Sequence, residues 1–153
     1  MEAEGVTRRR LLSGLTGMAL GLSAGRALAN TAERSGSEIP DMDEALKMLV
    51  EGNERFVSGK TRHAHQGSAW RDQLVSGQTP FATLLGCSDS RVPIELVFDQ
   101  GFGDLFVIRV AGNIISPDVI GSMSYAFNNL HTPLFVILGH EGCGAVTAAL
   151  EDM

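Results

Sequence analysis

The sequence predicts an α/β fold in which a parallel β-sheet is flanked by helices. Three stretches of strand length are almost wholly apolar, namely residues 81–86, 105–110 and 133–139, and helical patterns separate them. Apolar strands that alternate with helices are typical of a parallel sheet covered on both faces. A chain of 153 residues with 44% hydrophobic residues is long enough for one such domain around a single core.

Residues 1–29 have the pattern of an export signal. Arginines at positions 8–10 precede two leucines and an apolar run rich in small residues, and Ala-Leu-Ala ends at Ala29. The apolar run is shorter than the ~20 residues of a membrane-spanning helix, so we expect cleavage and no membrane attachment afterwards. Paired arginines before leucines resemble a twin-arginine signal, while an ordinary secretory signal with a basic start is the alternative. Residues 30–153 then form the domain, in a periplasmic or otherwise exported protein.

The charge balance argues against a nucleic-acid partner. The formal net charge is −6, and the one basic cluster lies inside the predicted signal. Proteins that bind nucleic acid place clustered basic residues on one face of the folded domain. We therefore expect a small-molecule substrate.

The first half of the domain contains one amphipathic helix and one loop. Apolar residues recur at helical spacing after Asp41, and Gly59 ends the pattern. Residues 60–69 have the composition of a loop, and its exposed His63 and His65 are not expected to bind metal. Residues 70–76 predict a short helix before the first strand.

Three further helices follow the strands. Pro93 stands where a first helical turn tolerates proline, and this helix ends near Asp99. Ser116 and Pro117 provide the cap and first-turn proline of a longer helix. A last helix begins at Gly142. We expect the apolar residues of the longer helix to pack on the sheet: Val119, Ile120, Met123, Ala126, Phe127 and Leu130.

Chemically active side chains follow the first and third strands. Cys87, Asp89 and Arg91 follow the first, and His140 and Cys143 follow the third. In parallel sheets, sites form outside the carboxyl ends of the strands. Two thiolates, an imidazole and a carboxylate are a tetrahedral zinc set, and His140 and Cys143 at spacing three share one face of a helical turn. Arg91 is close enough to pair with Asp89 and lower its pKa.

Two other interpretations of the cysteines remain open from the residues alone. Two cysteines in an exported protein ordinarily suggest a disulfide, although a structural bridge needs no ionisable neighbours. A thiol redox protein is disfavoured because the chain contains no Cys-x-x-Cys.

Four stretches resemble the β-class carbonic anhydrases in order and spacing: CSDSRVP, DLFVIRVAGN, GSMSYA and LGHEGCGAV. The resemblance covers roughly Ala45 to the end of the chain. It implies reversible hydration of carbon dioxide to bicarbonate, with one zinc ion per chain held by Cys87, His140 and Cys143. It also implies that Asp89 either takes the fourth metal position or pairs with Arg91 and leaves that position to water.

The resemblance extends to the substrate pocket and to assembly. Gln78, Phe106, Tyr125 and Gly144 match pocket positions of the family. Otherwise Phe106 and Tyr125 would be core residues and Gln78 a turn residue. The family unit is a homodimer or a higher homo-oligomer, in which the amino-terminal helix reaches across and Gln78 and Tyr125 lie near the shared pocket.

The chain departs from the family pattern in two ways. Glu141 stands where Ser or Thr is more frequent, and it is either a helix N-terminal acid or an influence on the acidity of zinc-bound water. Family members also continue with more helix and a further strand, so we expect the C-terminal part to be missing. The third strand, with Val136 and Ile137, would then face an open edge, in a marginally folded, aggregation-prone chain of reduced activity.

Two alternative functions use the same metal ligands. One is hydrolysis of carbonyl sulfide or carbon disulfide by a related enzyme. The other is a non-catalytic zinc-binding fragment, if the chain does not close its pocket.

Overall fold

The computed structural model describes residues 39–151. The predicted signal at residues 1–29 and its cleavage after Ala29 lie outside this range. The described elements are helix α1 (Met42–Val57), helix α2 (Ser68–Gln73) with a 3-10 turn (Leu74–Ser76), strand β1 (Ala82–Gly86), helix α3 (Ile94–Val97), strand β2 (Leu105–Arg109), a second 3-10 turn (Ala111–Asn113), helix α4 (Pro117–Asn129), strand β3 (Phe135–Leu138) and helix α5 (Gly144–Glu151).

The three strands form one parallel sheet in the order β2-β1-β3. Gly86, the last residue of β1, pairs with Arg109 of β2 and with Leu138 of β3. The carboxyl ends of all three strands therefore meet at one edge. The predicted parallel sheet with flanking helices is confirmed.

Helices α1 and α3 cover one face of the sheet. Ala45 and Leu49 of α1 and Ile94 of α3 are buried against Ala82 and Leu84 of the central strand. Asp41 starts α1, as predicted, because its side chain accepts a hydrogen bond from the Glu44 backbone N–H at 2.9 Å.

Helix α4 covers the other face over β1 and β2. Ser116 caps it and Pro117 follows in the first turn, and Val119 packs with Leu85 and Ile108 in a second buried cluster. The prediction that six apolar residues of this helix pack on the sheet is wrong for Ile120, which is 53% exposed. Phe127 is 63% exposed, but its ring lies 6.4 Å from that of Phe135 in β3.

The physical reason lies in the width of the contact. Residues 119, 123 and 126 form a narrow stripe at helical spacing, and Ile120 lies outside that stripe. On the same side of the sheet, Ile137 of β3 is 61% exposed, while Val136 packs on the opposite face against the α1 and α3 core. Within the described residues, helix cover is therefore incomplete over β3.

Two buried aspartates anchor the loop that follows α1. Asp99 accepts hydrogen bonds from the Arg55 side chain and from the backbone N–H groups of Arg62 and His63. Asp104 contacts His65 Nδ1 at 2.8 Å. His65, expected from the sequence to be exposed, is thus held in a partly buried ion-pair geometry and also stacks on Trp70 with ring centroids 4.0 Å apart.

None of the helices in residues 39–151 combines the length and the apolar content that crossing a bilayer requires.

Two helical glycines give a matched test of this packing. In Gly52→Ala, the new Cβ would overlap the Phe98 carbonyl of the backbone after α3, whereas a Cβ at Gly121 would meet no atom within 4 Å. We expect Gly52→Ala to lower the free energy of unfolding by about 1–3 kcal/mol through overpacking. Gly121→Ala should raise it by about 0.5–1 kcal/mol through helix propensity. Urea unfolding of both variants measures the difference, and equal stabilities would contradict the described α1–α3 contact.

Candidate metal centre

Two thiols and one imidazole meet at the carboxyl edge of the sheet. The ligand atoms of Cys87, His140 and Cys143 all lie within 4.8 Å of one another. The two sulphur atoms are 3.8 Å apart, and both cysteines are free. Cys87 directly follows β1, and the other two residues lie between β3 and α5. The structure therefore brings together three groups from two strand ends in a geometry that could hold a metal ion.

The turn between β3 and α5 places His140 and Cys143 without a helix. The sequence predicts a helix from Gly142, but α5 begins at Gly144. The reason is the backbone of Gly142, whose φ of 60° is left-handed and does not belong to a right-handed helix. His140 and Cys143 share one side of a turn, and the prediction that they share a helical turn is wrong.

The residues present fit a metal ion. His140 Nε2 is buried and makes no hydrogen bond to a nitrogen or oxygen atom of the described residues, and the sulphur atoms of Cys87 and Cys143 lie within 4.8 Å of the His140 ligand nitrogen. Its other ring nitrogen, Nδ1, lies 3.0 Å from the Glu141 carbonyl oxygen and donates to it in the tautomer that leaves a lone pair on Nε2. A backbone carbonyl on the second nitrogen is the usual way to orient a metal-binding histidine. With two thiolates beside it, this donor set suits a soft divalent ion such as zinc.

The surroundings of the Cys87 sulphur favour its thiolate form. The facing His140 imidazole and the Gly112 N–H, which donates to Sγ at 3.3 Å, lower the pKa of Cys87 from 9.0 to about 6. The Cys87 thiolate in turn raises the pKa of His140. Before any metal binds, each group therefore favours the charged form of the other.

Asp89 and Arg91 form a bidentate ion pair beside the cluster. Arg91 Nε donates to Oδ1 at 2.9 Å and Arg91 Nη2 donates to Oδ2 at 2.7 Å. Arg91 Nη2 also donates to the Gly142 carbonyl at 3.0 Å, and Asp89 Oδ2 lies 3.9 Å from His140 Nε2. The guanidinium holds the pKa of Asp89 well below its usual range. Of the two arrangements that the resemblance implies, the structure has Asp89 paired with Arg91.

Three residues at and just after the end of β2 support the cluster and are absent from the sequence-based site. Arg109 donates to the carbonyl oxygens of Cys87 at 2.9 Å and Asp89 at 2.6 Å. Asn113 donates to the Leu138 carbonyl at 2.8 Å, and the Gly112 N–H donates to the Cys87 sulphur. An arginine that ends an otherwise apolar strand was the available signal, since it stands at the edge where the ligands meet.

Of the four predicted pocket residues, Gly144 lies next to the cluster within one chain, and the others do not gather around it. Gly144 adjoins Cys143 at the start of α5. Phe106 lies near the amino end of β2, three residues before Arg109 and so roughly 10 Å along the strand, where its ring is 6.0 Å from that of Tyr125. Gln78 is exposed and precedes β1, at the opposite edge of the sheet from Cys87.

Glu141 is not the helix N-terminal acid that the sequence suggested. Helix α5 begins three residues later, and its first turn contains no acidic residue. The Glu141 side chain is exposed, and the Glu141 backbone carbonyl oxygen lies 3.0 Å from His140 Nδ1.

Comparison with known proteins identifies close relatives over most of the described range. The family model described as carbonic anhydrase matches residues 82–153. Carbonic anhydrase 2 of Mycobacterium tuberculosis is 54% identical over 106 residues, which are 69% of this chain and 51% of that protein. The carbonic anhydrase of Mycolicibacterium smegmatis is 51% identical over 109 residues, 71% of this chain and 53% of that protein. The chain thus spans about half the length of the curated relatives it matches.

Solved structures agree with these relatives. One of two tetrameric β-carbonic anhydrases of the fungus Sordaria macrospora matches with a TM-score of 0.52 and 32% identity, over 70% of this chain and 54% of that one. The β-carbonic anhydrase CcaA matches with a TM-score of 0.53 and 35% identity, over 69% of this chain and 53% of that one.

The thiolate at Cys87 can be measured by titration of the metal-free protein. In Cys143→Ser, Cys87 is the only remaining thiol, and its ultraviolet thiolate absorbance should rise with a midpoint near pH 6. A thiolate forms above its pKa, so the signal is lost as the pH falls below 6. Adding His140→Asn removes the largest cause of the lowered pKa and should move the midpoint up towards 9.0. A midpoint above about 8, the range of an ordinary cysteine, in Cys143→Ser would contradict the Cys87–His140 geometry.

Proposed function

The chain belongs to the β-class carbonic anhydrase family, and on that premise we propose that the protein catalyses the reversible hydration of carbon dioxide to bicarbonate and a proton. The observation that carries the proposal is the cluster of Cys87, His140 and Cys143 beside the Asp89–Arg91 pair. This cluster lies at the edge of a parallel sheet where active sites form. The relatives described above are named carbonic anhydrases, which favours carbon dioxide over carbonyl sulfide or carbon disulfide.

The proposed cofactor is one Zn²⁺ ion per chain, held by Cys87, His140 and Cys143. When bound, zinc lowers the pKa of water to about 7 and so makes hydroxide available near neutral pH. Two thiolate ligands donate more charge than imidazoles, so we expect the activity to favour alkaline pH. The buried His140 Nε2, which has no nitrogen or oxygen partner among the described residues, and the closely spaced sulphur atoms support this assignment.

Asp89 and Arg91 would orient the attacking group. Arg91 keeps the Asp89 carboxylate ionised, so this carboxylate accepts hydrogen bonds and does not donate them. A carboxylate that only accepts can fix the hydrogen of an attacking hydroxyl and direct its lone pair towards carbon dioxide. Because Arg91 also binds the Gly142 carbonyl, the same guanidinium links the loop after β1 to the loop that contains His140.

Gly144 would leave room for the substrate. A Cβ placed on Gly144 would meet no other atom of the described chain within 4 Å. Carbon dioxide is small and uncharged, so it needs space next to the ligands and few polar contacts. The glycine directly after Cys143 provides that space.

The position of Gln78 points to a second copy of the chain. Gln78 lies at the amino end of β1, whose five residues alone span roughly 16 Å, so it cannot reach the cluster of its own chain. We propose that the protein is a homodimer or a larger homo-oligomer in which Gln78 faces the partner's metal centre. The exposed apolar stripe on α1, formed by Met42, Leu46, Val50 and Val57, supports such an interface.

A non-catalytic zinc-binding role is the second candidate, favoured only by the distance between Gln78 and the cluster in a single chain. Stoichiometric zinc without any hydration of carbon dioxide would establish that role. Measurable hydration by the zinc-loaded chain would remove it.

Loss of one ligand tests the metal assignment. Cys143→Ser should lose zinc and carbon dioxide hydration together, by more than the roughly 10–100-fold that removal of an outer partner causes. The matched control is His131→Asn, which removes an exposed imidazole outside the cluster and keeps a residue that tolerates the left-handed φ of 53° there. Metal analysis and stopped-flow hydration measure both properties. Full zinc occupancy in Cys143→Ser would remove this residue from the ligand set.

A mixing experiment tests whether Gln78 acts across chains. Gln78→Ala and Cys143→Ser should each be inactive, whereas refolding an equal mixture should restore about a quarter of the wild-type activity. In an isologous dimer, half of the mixed molecules are heterodimers, and each contains one site with intact ligands facing an intact Gln78. A mixture of Cys143→Ser with His140→Asn is the control and should stay inactive, because every chain then lacks a ligand. No recovery in the first mixture would show that Gln78 does not act across a dimer.

A further inference from the structure

Arg109 connects the end of β2 to the loop that contains Cys87 and Asp89. Its Nε donates to the Cys87 carbonyl oxygen at 2.9 Å, and its Nη2 donates to the Asp89 carbonyl oxygen at 2.6 Å. Charged hydrogen bonds of this kind are stronger than neutral ones, and the planar guanidinium fixes the direction of both. One side chain therefore holds two backbone positions that flank Ser88.

The two carbonyls belong to residues whose side chains form the site. Cys87 Sγ is part of the ligand cluster, and the Asp89 carboxylate lies 3.9 Å from His140 Nε2. Strand β1 ends at Gly86, and one further pair of strand-type hydrogen bonds, which joins Gly86 and Ser88 to Val110, continues past it. The carbonyl groups of Cys87 and Asp89 are held by the Arg109 guanidinium, which fixes the points from which both side chains project.

The segment that follows Arg109 acts on the same loop. The Gly112 N–H donates to Cys87 Sγ at 3.3 Å, and the Ser88 N–H donates to the Val110 carbonyl at 3.2 Å. Arg109 itself pairs with Gly86 in the last position of the β1–β2 register. The end of β2 therefore holds Cys87 by its carbonyl and by its sulphur, from two directions.

We propose that Arg109 is a positioning residue of the metal centre, which fixes the Cys87 thiolate and the Asp89 carboxylate through their backbone carbonyls. The proposal rests on the proposed function, because it concerns the same zinc site, and it assigns Arg109 no contact with zinc or substrate. A lysine at this position keeps the charge but cannot bind both carbonyls with one planar group. Arg109→Lys should therefore behave between wild type and Arg109→Gln.

Zinc affinity is the primary measurement, made on the full chain by competition with a chromophoric chelator. Arg109→Gln should bind Zn²⁺ about 10–100-fold more weakly than wild type, the usual loss when an outer partner of a metal ligand is removed. The matched control is Arg71→Gln, which removes an exposed arginine of α2 and should bind Zn²⁺ within about twofold of wild type. The visible absorption of the Co²⁺-loaded proteins should change in Arg109→Gln and stay the same in the control.

Thermal melting of the metal-free proteins separates positioning from general stability. A positioning role predicts a melting temperature near that of wild type together with the loss of zinc affinity. A zinc affinity within about twofold of wild type in Arg109→Gln, with an unchanged Co²⁺ spectrum, would overturn the proposal. If Arg109→Gln does not fold, Arg109→Lys decides by the same limits. A wild-type chain that binds Zn²⁺ but does not hydrate carbon dioxide would refute the proposed function and leave this comparison of affinities intact.

Discussion

The metal centre depends on the register of the parallel sheet. Gly86 pairs with Arg109 on one side and with Leu138 on the other, so three strands end in line. Each strand end then delivers one part of the site: the thiol and carboxylate loop, the supporting segment, and the turn with the histidine. A slip of one residue would move an outer strand by about 3.3 Å and turn its side chains to the other face. The relative positions of the site residues therefore depend on correct strand pairing.

Packing on both sides of β1 fixes that register. Leu84 is buried against α1 and α3, while Leu85 is buried against α4. Thr83 adds a buried hydroxyl contact of 2.8 Å to Thr132, which ties the central strand to the approach of β3. Because alternate residues of β1 belong to two different clusters, a shifted strand would place each side chain in the wrong layer. Core packing and the geometry of the site therefore require the same strand register.

The sequence was informative where local pattern decides the outcome. Apolar strands and helix caps predicted the parallel sheet and the start of α4, and polar residues at strand ends predicted which groups meet. The exposure of Ile120 and Phe127 could not be predicted from the sequence, because the identity of an apolar residue does not indicate which element packs over it. The late start of α5 depended on the backbone of Gly142. The contacts of Arg109 exist only after β1 and β2 have paired, so no spacing in the sequence reveals them.

The mutual stabilisation of Cys87 and His140 makes metal loading an exchange of cations. In the metal-free protein, the Cys87 thiolate raises the pKa of His140 and so favours a proton on that ring. A divalent ion that enters must displace that proton, because only a neutral imidazole binds metal. Under the proposed function, protons would therefore compete with zinc for one nitrogen atom of His140. A protein that matures in an acidic setting would therefore need a higher concentration of the metal to fill the same fraction of its sites.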